Sequence, residues 1–474
     1  MRLRTATVQA DSEEEVGSLK RRAETALGVG SGRLVHSSKG VLDARAPIKR
    51  VRLQDGDSLV LHVSRVQVKA TLCAFAAVLG DGAFRTWGDA DFGGDSSHVQ
   101  NQLNNVQQMQ ATVTAFAAIL ADGSVVTWGR PAEGGDSSHV QDQLKNVQQI
   151  QATCAAFAAI LNDGSVVTWG CSNNGGDSSS VQDQLQNVQQ IQASRNAFAA
   201  VLVDGSVVTW GDADFGGDSS AVQNQLKNVR QVQGGHRSGA FAAILADGSV
   251  VTWGDEGYGG DSSAVQNQLK NVQQIQATDS AFAAILDDGS VVTWGDAGYG
   301  GDSSHLQDQL KNAQQIQATI SAFAAILADG SVVTWGDADY GGDSSAVQDQ
   351  LKNAQRIQAT SSAFAAILAD GSVVTWGDAD SGGDSSSVQD QLENVQQIQA
   401  TGGAFAAILD NGSVVTWGDG DAGGDSSAVQ DQLKNVQQIQ ATASSFAAIL
   451  RDGSVVAWLR EDEEEEEAEE EELL

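Results

Sequence analysis

Proline is nearly missing from this chain, with Pro47 and Pro131 the two examples in 474 residues. Turns must therefore come from the 52 glycines, which adopt positive φ without steric cost. Cysteine is scarce as well. Cys73, Cys154 and Cys171 form an odd count without metal-ligand spacing, which excludes a disulfide framework and fits a reducing compartment. The longest apolar runs are of the kind AFAAIL, far too short to cross a bilayer. The opening MRLRTATVQADSEEE has no apolar stretch of the sort a secretory signal carries. A soluble intracellular protein, cytoplasmic or nuclear and without membrane contact, is expected.

Catalytic signatures are also wanting. His36, His62, His98, His139, His236 and His305 have no recurrent Asp or Cys partner at triad or metal spacing. There is no P-loop, and no Gly-x-Gly-x-x-Gly follows a strand. Neither an enzyme nor a bound cofactor is expected.

Positive charge is thin and unevenly placed. The formal net charge of −34 divides into about +5 for residues 1–69, −28 for 70–460 and −11 for EDEEEEEAEEEELL, residues 461–474. Such a surface repels phosphate backbones, which disfavours direct nucleic-acid binding and favours basic proteins as partners.

What the chain has in abundance is repetition. Ten tryptophans, from Trp87 to Trp458, are spaced by 41 residues, with one interval of 43 where GGHRSG intervenes. A period of this size means a propeller, a solenoid or an array. In each unit NVQQIQAT reads as a strand of mixed polarity. AFAAIL and SVVTWG then form a hairpin about an Asp-Gly turn. AFAAIL is apolar on both faces, so it must be covered on both sides. A Gly-Gly leads into DSSAVQDQLKN, where Ser345 and Gln348 fit a capping box and Val347 and Leu351 share a face, predicting a short docked helix.

Residues 1–69 have a different character. TATVQA alternates like a strand, and residues 11–27 read as a helix with Val16, Leu19 and Ala23 on one stripe. GRLVHSSKGVLD predicts a strand, a turn and a short strand, and DGDSLVLHV a last strand. The expected division is 1–66 as a small α+β domain, 67–460 as the repeat array and 461–474 as an acidic disordered tail.

The order RLVHSSKGVLD then VRLQDGDSLVLHV resembles ubiquitin and its β-grasp relatives over about residues 1–66. Only one strand precedes the helix here, and the chain runs past Val63 without a terminal Gly-Gly, so conjugation as ubiquitin is conjugated is not implied. The resemblance places Val35 and His62, with Val60 nearby, at the face such folds use for binding. The plainer reading makes Val35 and Val60 core residues. The hairpin FAAILADGSVVTWGDADYGG resembles repeats of the regulator of chromosome condensation superfamily, over about residues 66–458. This implies a mainly β, propeller-like array. Ten units exceed the four to eight blades usual in closed propellers, leaving a ring or an open spiral. Compared with that family, the His before the second strand is replaced by Ala-Phe and the Gly-Gln-Leu-Gly loop by Gly-Gly-Asp-Ser-Ser.

Ten copies also act as an internal alignment. Trp occurs in all ten and is read as structural, its N–H meeting a backbone acceptor. Light absorption by clustered tryptophans, known in that superfamily, relies on neighbouring arginines, which are rare in these repeats. The loops GDADFGGDSS offer Asp-x-Asp oxygens for calcium, but five units alone keep both aspartates, so the fixed part reads as a turn and cap and no metal is assigned. The residue before Gly-Gly is aromatic in five units, as Phe92, Phe215, Tyr258, Tyr299 and Tyr340. A rim that changes from unit to unit is the pattern of a protein-binding edge; packing on the neighbouring unit is the alternative. The two resemblances together imply a non-enzymatic protein–protein scaffold linked to the ubiquitin pathway, with ubiquitin-pathway components or basic proteins as partners. They also resemble the non-catalytic part of HERC-type ubiquitin ligases, and the repeats alone imply guanine-nucleotide exchange.

Overall fold

The structure is a computed structural model and describes residues 5–27, 29, 32–63, 66–235 and 239–458. The acidic segment 461–474 lies outside them. The chain is mainly β, with eleven three-stranded antiparallel sheets among the described residues.

The first sheet belongs to the N-terminal module. Helix α1 (Val16–Leu27) is followed by β1 (Arg33–His36), β2 (Gly40–Val41) and β3 (Leu59–His62), in the order β2-β1-β3. Val16, Leu34, Leu42 and Ile48 form its small core. TATVQA, expected as a strand, is not one: residues 5–10 make no ladder. An alternating segment becomes a strand only where a neighbour accepts its hydrogen bonds, and all three strands here are already arranged without it.

The other ten sheets are the blades, one per tryptophan. In the seventh, the strands are Ala313–Ala318, Ala322–Leu327 and Val332–Gly336, paired so that Phe323 faces Trp335. First strands of adjacent blades touch each other, so they lie innermost. The middle strand is buried on both faces, as its sequence required. Ala322, Ala324 and Ile326 point into the core shared with the next blade, and Phe323 and Ala325 into the core shared with the previous one. Alanine lets neighbouring sheets approach closely, and all these alanines are fully buried. The array closes on itself: Val68, Phe75 and Ala77 of the first blade pack against Ala447 and Ile449 of the tenth.

The segment after Gly-Gly is not an α-helix. It is a run of tight turns, with short 3-10 pieces in some units such as Gln389–Gln391. Its polar residues are committed elsewhere. Ser344, not Ser345, engages Gln348: Thr334 Oγ1 donates to Ser344 Oγ (3.0 Å), which donates to Gln348 Oε1 (2.9 Å). Gln348 Nε2 then donates to the carbonyl of Val332 (3.0 Å). Asp343 Oδ1 accepts from the Ser345 N–H (2.8 Å), so the aspartate of Gly-Gly-Asp-Ser-Ser is the cap. The run ends at Asn353, in the left-handed region at φ 60°. This conformation is one asparagine tolerates, and it brings the Ala354 N–H onto the carbonyl of Gly330 in the preceding blade's turn (2.8 Å).

Candidate protein-binding surfaces

The N-terminal sheet has one covered and one open face. Leu34, Leu59 and Leu61 turn toward α1 and the core. The intervening residues turn outward, because successive side chains in a strand alternate. Val35 pairs with Val41 on one side and with Val60 on the other, setting three valines in a row across all three strands. Val60 is 63% and Val41 57% exposed, and Val35 is half-buried between them. Val60 is therefore not a core residue. His62 is exposed beside this row and pairs with Arg33, whose guanidinium lies against Gly82 in the turn of the first blade. The sequence pointed to Val35, Val60 and His62 but not to Val41, whose two-residue strand gave little signal.

The second surface is one face of the ring. Both variable loops of each unit meet there. Thr319 Oγ1 donates to the carbonyl of Tyr340 (3.0 Å), and the Asp337 N–H to the carbonyl of Ser321 (3.0 Å), tying the loop before the middle strand to the loop after the outer one. The five aromatics are not equivalent. Phe92, Phe215, Tyr299 and Tyr340 are half-buried, each packed on the core shared with the following blade. The Arg130 guanidinium also sits 5.7 Å from the centre of the Phe92 ring. Tyr258 is the most open, 36% exposed.

Sequence reasoning missed a second variable row on the same face. The residue after each Thr of the first loop changes from copy to copy, and its backbone is bonded to its counterpart in the next blade. The Leu72 N–H donates to Val113 O (2.9 Å) and Val113 N–H to Cys154 O (3.0 Å); farther round, Ile320 N–H donates to Ser361 O (3.0 Å). Leu72 and Val113 are 41% and 38% exposed, an adjacent apolar pair on this rim. The signal for this row was present in the same internal alignment, as the two residues between Thr and Ala.

The aspartates of the loops act as caps. Asp337 Oδ1 accepts from the Asp339 N–H (3.0 Å), and the same bond recurs from Asp89 and Asp212. Among the described residues no group of three or more His, Cys, Asp or Glu side chains gathers into a metal cage. Cys154 and Cys171 are not joined in a disulfide. Burial pushes the Cys154 thiol up, and its S–H donates to Asn196 Oδ1 (3.1 Å), which favours the protonated form.

Fold and surfaces together define a closed array of small β-sheets with variable loops gathered on one face. No protein-family model matches the chain, and no curated protein is significantly similar to it. Among solved structures it is similar to Prp20p of Saccharomyces cerevisiae, at 15% identity and a TM-score of 0.37, over 88% of this chain and 100% of that one. It is also similar to the CRINKLY WD40 ectodomain of the Arabidopsis thaliana receptor kinase ACR4 (15% identity, TM-score 0.32, 58% and 98% covered). A third is the computationally designed Ika8 protein (14%, 0.30, 66% and 96%). Likenesses this distant bear on neither partners nor activity.

Proposed function

We propose that the chain is a non-enzymatic interaction scaffold, cytoplasmic or nuclear, whose N-terminal module engages ubiquitin-pathway proteins while the ring holds a basic client on its loop face. The observation that carries this reading is the row Val41–Val35–Val60, an apolar stripe left open on a module too small to spare apolar residues. The acidity of the repeats supports a basic client on the ring.

The test compares full-length bait with Val60→Asp bait in capture from cell lysate. Val60 is exposed, so the substitution leaves the fold in place while putting a charge in the stripe. Ubiquitin, proteasome or ligase components captured by the first bait and lost by the second, with basic proteins retained by both, support the reading. Identical captures would remove the module from it, leaving an acidic scaffold.

A further inference from the structure

The ten first strands form the inner wall of the ring, each touching the first strand of the blade on either side, the tenth and the first included. The chain carries 61 Asp and Glu residues, yet none of them falls in these ten strands. The wall is lined with amides instead. Gln110 pairs with Ala117 and Gln440 with Ala447 at the same register, and nine blades keep glutamine at this level.

The first blade departs from the pattern. Lys69 stands at that level, paired with Ala76. Val68 turns into the boundary with the tenth blade, so alternation sends Lys69 to the other side, toward the second blade. Its side chain stays exposed along the axis. Protein on its other sides withdraws water from the ammonium, and this burial pushes its pKa down. Two more cations stand in the wall, and both are committed to backbone carbonyls. Arg230 Nη2 donates to Val272 O (3.1 Å) and Arg356 Nη1 to Gln396 O (3.4 Å). Lys69 has neither a hydrogen bond nor an ion pair among the described residues.

An ammonium partly stripped of water and left without a counter-ion is stabilised by an anion that replaces the lost hydration. The flanking strands bring half-buried Gln108 and Gln110 on one side and Gln438 and Gln440 on the other. Their amide groups are neutral N–H donors, and no acid on the wall competes for Lys69. Acids on the outer surface are screened over about 8 Å at physiological salt, which weakens their repulsion at the axis.

We propose that Lys69 anchors a small oxyanion, a carboxylate or phosphate group, on the axis of the ring, with the glutamine amides beside it as hydrogen-bond donors. One substitution thus turns a single blade of a repeating wall into a ligand site.

The test is NMR of the full chain with isotope-labelled lysine side chains, at fixed pH and ionic strength, titrated with inorganic phosphate and separately with succinate. Lys69→Gln identifies the Lys69 signal and installs the residue that nine blades already carry there, so the ring keeps its fold. The Lys69 signal is expected to shift saturably with at least one anion, while those of Lys145 and Lys352, out on the surface, do not. A response to phosphate alone assigns a phosphate ligand, a response to succinate alone a carboxylate, and a response to both the oxyanion class as a whole. Calorimetry is expected to show affinity weakened by about tenfold or more in Lys69→Gln. A Lys69 signal that stays in place, or that moves only in step with Lys145 and Lys352 (an adventitious ion only), overturns the proposal. So does undiminished binding in Lys69→Gln.

Discussion

Trp376 donates its indole N–H to the carbonyl oxygen of Gly341, 35 residues earlier and across a blade boundary, at 3.0 Å. The same ring stacks on Phe364 with centroids 5.2 Å apart. In nine of the ten blades the repeated tryptophan therefore bonds its blade to the predecessor and fills the gap between them. Chemistry on a substrate would need only one such residue; sealing blade against blade uses one at boundary after boundary.

Replacing Trp376 by Phe removes that bond and leaves the Gly341 carbonyl buried without this donor. A loss of about 1–3 kcal/mol is expected from the unpaired acceptor, with a further cost for the space vacated. Trp87→Phe loses no hydrogen bond, because Trp87 Nε1 has no partner. Thermal unfolding should rank Trp376→Phe well below Trp87→Phe, and equal midpoints would contradict the role assigned to the bond.

Two glycines in equivalent loops should behave in opposite ways. Gly341 has φ 90°, and a Cβ there would lie 2.7 Å from Phe364 Cδ2. Gly341→Ala combines a strained backbone with a clash against a buried ring and is expected to cost about 1–3 kcal/mol. Gly420 is the first residue of the corresponding 3-10 turn in the ninth blade, where a Cβ meets nothing closer than 4.0 Å. Gly420→Ala is expected to be neutral or to stabilise by about 0.4–1 kcal/mol, through the lower entropy of the unfolded chain. Melting curves of the two variants settle the contrast.

A third expectation concerns the polar chain behind the outer strand. Ser344 lies between Thr334 and Gln348, and it is 4% exposed. Ser344→Ala leaves a hydroxyl and an amide oxygen facing a methyl group. The expected loss is about 1–3 kcal/mol, readable as a lowered unfolding midpoint. Ser345→Ala keeps the backbone N–H that meets the Asp343 cap and removes only an exposed hydroxyl, so it should cost much less.

These examples also show where the sequence was legible. AFAAIL and SVVTWG could be read because ten copies separate the fixed from the variable, and a strand apolar on both faces has few places to go. The segment DSSAVQDQLKN misled because Ser and Gln serve helix caps and turns equally well. The choice was made by Thr334 and the Val332 carbonyl, which become neighbours only after the hairpin folds. TATVQA failed for the same reason in reverse: its alternation was present, and its partner strand was not. Ring closure was not readable at all, since it depends on Val68 and Ile449 meeting across the whole array. On the N-terminal module, residue type and order pointed to Val60. Its exposure followed only from the register with Val35.

The last expectation is a titration with a control built into the repeats. In eight blades the hairpin turn carries an aspartate whose carboxylate accepts from a serine hydroxyl and N–H two residues on, as Asp329 does from Ser331. Those bonds hold the Asp329 carboxyl below its ordinary range, the serine hydroxyl contributing most. A carboxylate whose pKa is depressed by folding stabilises the fold above its unfolded value of about 3.9 and loses that contribution as pH falls through the lower folded value. The ninth blade replaces it with Asn411, which makes the same two bonds to Ser413 and does not titrate. The Ser331 amide proton shift is therefore expected to move with a midpoint below about 3.9, and that of Ser413 to lack this step. A Ser331 midpoint at or above the ordinary carboxylate value would show that the turn bonds do not favour the ionised form. The Asp-Gly turns would then be held by backbone geometry alone.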